Sequence, residues 1–249
     1  MQDQYIKDTL LELAKLNMSV VYFGNDAVGA ANPSQTIFAI GTNRPTFTFS
    51  SLCTRDRIGE LAQRLTVFPD TEITLETHQN NEVRSISIKS KKGKIKSTFT
   101  CMKASVITGD EKTLEDVAAG ATAAPRERPP KRLNVKEAFQ VDAFTKEDIS
   151  DIKDVNKTMK CEHINFSFED KLKINLVSER GEKACIEFDQ KVDRLTDSKI
   201  FGHKYYMNDI LMVLQLYPNI PTFYVCSNGV LKFCTPTLDV FVAPIKNVT

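Results

Sequence analysis

The sequence predicts an α+β chain of two tandem, similar domains, each with two helices packed on antiparallel sheets. Three observations lead there. Short runs of alternating apolar residues recur along most of the chain, broken by Gly, Pro and Asn turn signals. Four longer segments instead repeat apolar residues at helical spacing. The order of these elements then runs twice, with a stretch of different composition between the two passes.

The first pass opens with a helix from Gln2 to Asn17, in which Ile6, Leu10, Leu13 and Ala14 share a face and Asp3 is placed to cap it. "MSVVYFGN", "QTIFAIGTN" and "PTFTFS" read as strands, separated by turns at Gly24-Asn25-Asp26, Asn32-Pro33 and Asn43-Arg44-Pro45. A second helix follows in "TRDRIGELAQRLTVF", where Ile58, Leu61, Ala62 and Leu65 align. Strands "TEITLETH", "VRSISIKS" and "KIKSTFTCM" complete the pass, with turns at Asn80-Asn81 and Lys92-Gly93. From about Ser105 to Asn134 the chain mixes small residues, charges and three prolines, the composition of a linker.

The second pass begins with the strand "AFQVDAF" and the helix "TKEDISDIKDVNKTMK". Strands "HINFSFED", "KLKINLVSE" and "ACIEFDQ" come next, then the helix "YYMNDILMVLQLY" and strands "IPTFYVCS", "VLKFCTPT" and "LDVFVAPI". The expected boundaries are residues 1–104 for the first domain, 105–134 for the linker and 135–249 for the second domain. The first pass lacks a strand ahead of its first helix, so one of its sheets is expected to be a strand short.

With 41% hydrophobic and 26% charged residues, the balance is that of a soluble globular protein. Thirty-three Lys+Arg against 32 Asp+Glu leave a net charge of +1, which does not mark a charge-driven nucleic-acid binder but is silent on how charge is distributed. The apolar runs are too short to span a membrane and "MQDQYIKD" has no signal-peptide features, so a cytoplasmic location without membrane contact is expected. Six cysteines never approach Cys-x-x-Cys spacing, and several sit in strand-like runs as small hydrophobes. His78, His163 and His203 lie far apart, so neither a metal site nor a cofactor is expected. "GNDAVGA" lacks the Lys-Ser/Thr of a phosphate cradle and reads as a turn, and there is no Gly-x-Ser-x-Gly elbow. No catalytic residue is nominated.

Charge is more informative where it is placed. Thr145 and Asp148 fit a capping box at the head of a helix whose apolar stripe is Ile149, Ile152, Val155 and Met159. Lys146, Lys153, Lys157 and Lys160 fall within about 60° of one another at ~100° per residue, roughly 115° from that stripe. Arg57 and Arg64, seven apart, share a face in the same way, and Lys7 and Lys15 do so more loosely. A solvated face is one reading, supported by the interrupting Asp151 and Asp154. The other is a phosphate-facing surface, because cations without interleaved aromatics suit sequence-independent contact with a duplex backbone. "KSKKGKIKS", with Lys89, Lys91, Lys92, Lys94 and Lys96, reads as a hairpin tip that protects an edge or touches phosphates. At the end of the chain, Pro244 is expected to leave the sheet and lay Ile245 on the surface, either as a ragged end or as part of an apolar patch.

"KYYMNDILMVLQLYPNIPTFYVCSNGVLKF" holds a Tyr-led helix, a Pro-containing turn and a strand pair, and Phe241-Val242-Ala243-Pro244 forms a closing strand. With the doubled element order, these stretches resemble the sliding clamps, the DNA polymerase processivity factors typified by proliferating cell nuclear antigen. "YIKDTLLELAKLNMSVVYF" is similar to the abbreviated start of the clamps of T-even-type tailed phages, which would place the protein in the host-cell cytoplasm. The resemblance implies a non-catalytic homotrimeric ring of six similar domains, with helices lining the hole and sheets outside. Double-stranded DNA would face Lys7, Lys15, Arg57, Arg64, Lys146, Lys153, Lys157 and Lys160. "KSTFTCMKA" would pair with "EKACIEFDQ" of the neighbour, bringing Thr98, Phe99, Ala184, Ile186 and Phe188 to the subunit interface. DNA polymerase and clamp loader would dock at Phe241, Ala243, Pro244 and Ile245. Three alternatives remain open: a monomeric DNA-binding accessory factor of the same fold, an unrelated β-rich interaction protein, and an enzyme with scattered catalytic residues.

Overall fold

The computed structural model describes residues 2–18, 20–24, 28–54, 57–67, 71–90, 96–102, 136–168, 171–196 and 203–245. The expected linker (105–134), the tip of the basic hairpin (91–95) and the turn residues Asn25 and Asp26 lie outside the described residues. The chain divides into two compact units, residues 1–133 and 134–249.

In the first unit, α1 (Gln2–Lys15) buries Tyr5, Ile6, Leu10 and Leu13, spaced so that they form one stripe. Each such apolar side chain contributes roughly 1.5–3 kcal/mol when taken fully out of water. β1 (Val20–Gly24), β2 (Val28–Ala31), β3 (Ile37–Gly41) and β4 (Ser51–Thr54) follow, hydrogen-bonded in the antiparallel order β3-β2-β1-β4. Next come α2 (Ile58–Val67), which packs against α1, and β5 (Thr71–Thr77), β6 (Val83–Ser90) and β7 (Lys96–Thr100), paired in that order. Ile58, Leu61, Ala62 and Leu65 of α2 are all buried, as their spacing requires.

The second unit begins with β8 (Glu137–Asp142) and α3 (Lys146–Met159). Thr145 Oγ1 accepts from the Asp148 N–H at 3.1 Å, and the Asp148 carboxylate accepts from the Thr145 N–H at 2.7 Å. The capping box therefore closes with Asp in place of the longer Glu or Gln. β9 (Cys161–Phe168), β10 (Leu172–Ser178), β11 (Lys183–Phe188), β12 (Val192–Arg194) and β13 (Lys204–Tyr206) lead to α4 (Met207–Val213) and a 3-10 turn at Leu214–Leu216. β14 (Thr222–Cys226), β15 (Leu231–Cys234) and β16 (Leu238–Val242) finish the unit. Its ladders run β11-β10-β9-β13 and β12-β8-β14-β15-β16, antiparallel throughout.

The two units repeat one plan. β3-β2-β1-β4 corresponds to β11-β10-β9-β13, β5-β6-β7 to β14-β15-β16, and α1 and α2 to α3 and α4. The second unit adds β8 and β12 beside β14; among the described residues the first unit has nothing beside β5, the shortfall expected from its missing leading strand. Three hairpins also share a turn: β5–β6, β10–β11 and β14–β15 each place a left-handed residue, Asn81, Gly181 or Gly229, just before the returning strand.

Several elements differ from expectation. "PTFTFS" is not a strand: Phe47 and Phe49 stack at 4.9 Å and join Phe23 and Tyr5 in an aromatic core, and the strand begins at Ser51. The supposed turn "GNDAVGA" runs into β2, whose Gly29, Ala30 and Ala31 carry little β-propensity. Tyr205 and Tyr206 belong to β13, so the following helix starts at Met207. Buried Tyr205 instead donates its hydroxyl to the Gly229 carbonyl.

Candidate nucleic-acid interface and docking edges

The lysine stripe of α3 follows from how the helix packs. Ile149 and Ile152 are buried, and α3 rests on β9 and β11. Lys146, Lys153, Lys157 and Lys160, on another side of the helix, are all exposed. None of the four pairs with a carboxylate among the described residues. Lys160 ends the helix in the left-handed conformation, its N–H bonded to the Asn156 carbonyl at 2.8 Å. A cleft of about 320 Å³ opens between the start of α3 and the turn after α4, lined by Phe144, Ile149 and Tyr217 together with Lys146 and Lys153. On α1, Lys15 is exposed and Lys7 half-buried.

Arg57 and Arg64 are held differently. Arg57 donates to both carboxylate oxygens of Glu60, at 2.7 and 2.9 Å, and its guanidinium lies 5.2 Å from the centre of the Phe99 ring. Arg64 also pairs with Glu60, and reaches β7, donating to Ser97 Oγ at 3.1 Å and the Thr98 carbonyl at 2.8 Å. Its guanidinium makes a second cation–π contact on the Phe99 ring, 6.0 Å from the ring centre. The two arginines hold the Glu60 carboxyl below its usual range, chiefly through the hydrogen bond from Arg57. Spacing in sequence put both on a shared face, but the partner of Arg64 on β7 is 34 residues away and left no local signal.

β7 and β11 are edge strands within their own units. Phe99 and Phe188 are only 2% and 3% exposed, Phe188 packing edge-on to Phe144 at 5.5 Å. They are core residues of their units, and their side chains are not free for a neighbour. Ala184 and Ile186 are half-buried, while Thr98 is exposed. At the chain's end, Phe241 is buried at 5% exposure and Ala243, Pro244 and Ile245 are half-buried beyond β16. The segment does not trail away: the Ile245 N–H donates to the Lys204 carbonyl of β13 at 2.7 Å. Tyr206 on that strand is 42% exposed and its ring lies 5.9 Å from His163.

Among the described residues, no three His, Cys, Asp or Glu side chains are grouped as metal ligands, and no helix is long and apolar enough to cross a membrane. Burial pushes the Cys101, Cys226 and Cys234 thiols up to about 12, far from the thiolate a nucleophile needs at neutral pH.

No protein-family model matches the chain, and no curated protein matches it. Solved structures do. Proliferating cellular nuclear antigen from Entamoeba histolytica is 10% identical, with 97% of this chain and 95% of that one covered at a TM-score of 0.63. The PCNA2-PCNA3 complex from Sulfolobus tokodaii gives 16% identity, coverage of 98% and 97%, and a TM-score of 0.62. The fold is that of the sliding clamps. In the clamp fold of this chain, four exposed lysines lie on α3, β7 and β11 are among the strands that end a ladder, and Ile245 returns to β13.

Proposed function

We propose that the protein is a sliding clamp: a non-catalytic ring of identical subunits that encircles duplex DNA and tethers a DNA polymerase. The likeness in fold to proliferating cellular nuclear antigen over nearly the whole chain carries the reading. Lys146, Lys153, Lys157 and Lys160 support it, being exposed, unpaired with described carboxylates and grouped on one helix. With Lys7, Lys15 and Arg57 they would touch phosphates; Arg64, committed to β7, contributes less. Weak binding is what sliding requires, since topology holds the ring and each firm grip on a phosphate would retard it. Near-neutral net charge with cations gathered on helices meets that need.

Two domains per subunit, with β7 an edge strand in one and β11 in the other, favour a homotrimer closed by those two strands, which would also remove both from solvent. Ala243, Pro244 and Ile245, half-buried and tied to Lys204, offer polymerase and clamp loader an ordered apolar strip beside the buried Phe241. A monomeric accessory factor of the same fold is favoured by one observation, the Arg64 guanidinium already seated on the Thr98 carbonyl. Light scattering at micromolar concentration separates the two. A mass of three 28.0 kDa chains is expected, and a single-chain mass at that concentration overturns the ring.

A further inference from the structure

The β7 edge carries information about its own partner. Cys101 N–H donates to the Arg84 carbonyl at 2.9 Å, which fixes the alternation of the β6–β7 ladder. Ser97 and Phe99 therefore exchange hydrogen bonds with β6, while Lys96, Thr98 and Thr100 turn their N–H and C=O groups outward. On β11, Ser178 N–H donates to the Glu182 carbonyl at 3.0 Å, so Lys183, Cys185 and Glu187 are the outward residues. Three residues on each strand thus offer their backbone groups to a neighbour.

Only one antiparallel register matches all three. It sets Thr98 opposite Cys185, Lys96 opposite Glu187 and Thr100 opposite Lys183. Opposite charges meet in one pair and no like charges meet. A shift of two residues either way leaves one residue on each strand unmatched and separates Lys96 from Glu187. Parallel pairing over the same length sets Lys96 against Lys183, which is repulsive. The central pair is therefore Thr98 with Cys185.

That is the pair Arg64 guards. Its guanidinium sits 2.8 Å from the Thr98 carbonyl, the acceptor that the Cys185 N–H of a second copy needs. Charged groups laid on an exposed edge are a common protection against indiscriminate strand pairing. Glu60 makes this cover removable, because it pairs with Arg64 independently of β7 and keeps the charge compensated when the carbonyl is released. Arg57 holds the same carboxylate in place. We propose that Arg64 is a guard on the subunit edge, occupying the Thr98 carbonyl in the free chain and exchanging it for the Cys185 N–H of a second copy in the register above. The inference rests on the ring reading and adds to it a register and a competing group.

Two variants test it. Arg64→Met keeps an unbranched apolar stem over Phe99 and removes the competing donor; subunit association measured by sedimentation should tighten by about tenfold, ~1.4 kcal/mol. Thr98→Cys should form a disulfide with Cys185 of a second copy under mild oxidation, since residues opposed in a hydrogen-bonded pair stand about 5.5 Å apart between Cα atoms, inside the range a disulfide spans. Adding Cys185→Ser should abolish that product. Absence of any cross-linked product, with single-chain mass in both Arg64 backgrounds, overturns the ring itself. Cross-linking with unchanged or weakened association in Arg64→Met overturns the guard and leaves the ring standing. Efficient cross-linking from Lys96→Cys or Thr100→Cys in place of Thr98→Cys overturns the register.

Discussion

Lys153, Lys157 and Lys160 differ from Arg64 in what holds them. The lysines extend from an exposed helix face, whereas the arginine is fixed by Glu60, Ser97 and Thr98. A mobile ammonium in water keeps its charge for a passing phosphate, while a guanidinium bonded on two sides has already committed its directional donors. Replacing Lys153, Lys157 and Lys160 with Gln should leave the thermal midpoint nearly unchanged, because the three are exposed. It should lower the slope of log affinity for duplex DNA against log salt by roughly 0.9 for each phosphate that is no longer neutralised. An unaltered salt slope in the triple variant removes these lysines from the interface. Their grouping was readable from sequence because helical geometry alone sets it. The fate of Arg64 was not, because it depends on a strand brought close by tertiary folding.

The shared hairpin turn makes a prediction at the level of elements. Gly181 and Gly229 hold φ of +80° and +81°, so Ala at either costs about 1–2 kcal/mol from the left-handed backbone alone. A Cβ at Gly181 meets open space, whereas at Gly229 it would fall 2.6 Å from the His203 ring. Gly229→Ala should therefore shift the urea midpoint further than Gly181→Ala, and equal losses would show that the His203 packing carries no weight. Elements themselves were legible in proportion to their length and pattern. α1, α2 and α3 showed themselves because each repeats apolar residues over two turns or more. β2 did not, since Gly29, Ala30 and Ala31 are too small to mark an alternation, and β12 and β13, at three residues each, are too short for one. The aromatic residues of "PTFTFS" alternate as a strand would, but Phe47 and Phe49 stack on each other and serve the core without a ladder. The capping box at Thr145 was legible because its partners lie three residues apart.

Over the whole molecule the plan is doubled, and most of that doubling follows from element order. Where the halves differ, at β8 and β12, the second unit carries a wider ladder than the first among the described residues. Repetition of a unit with an edge strand in each half, β7 and β11 among them, is what a closed ring of identical chains uses, and near-neutral charge would suit the sliding proposed for it. The most direct measurement is retention on DNA by topology. Subunits assembled with a nicked circular duplex, sealed by a chemical cross-linker and washed in high salt, should stay on the circle and leave when one restriction cut makes it linear. Equal retention on the intact circle and on its cut form, after the same sealing and wash, would mean that the protein grips DNA from the side and does not surround it.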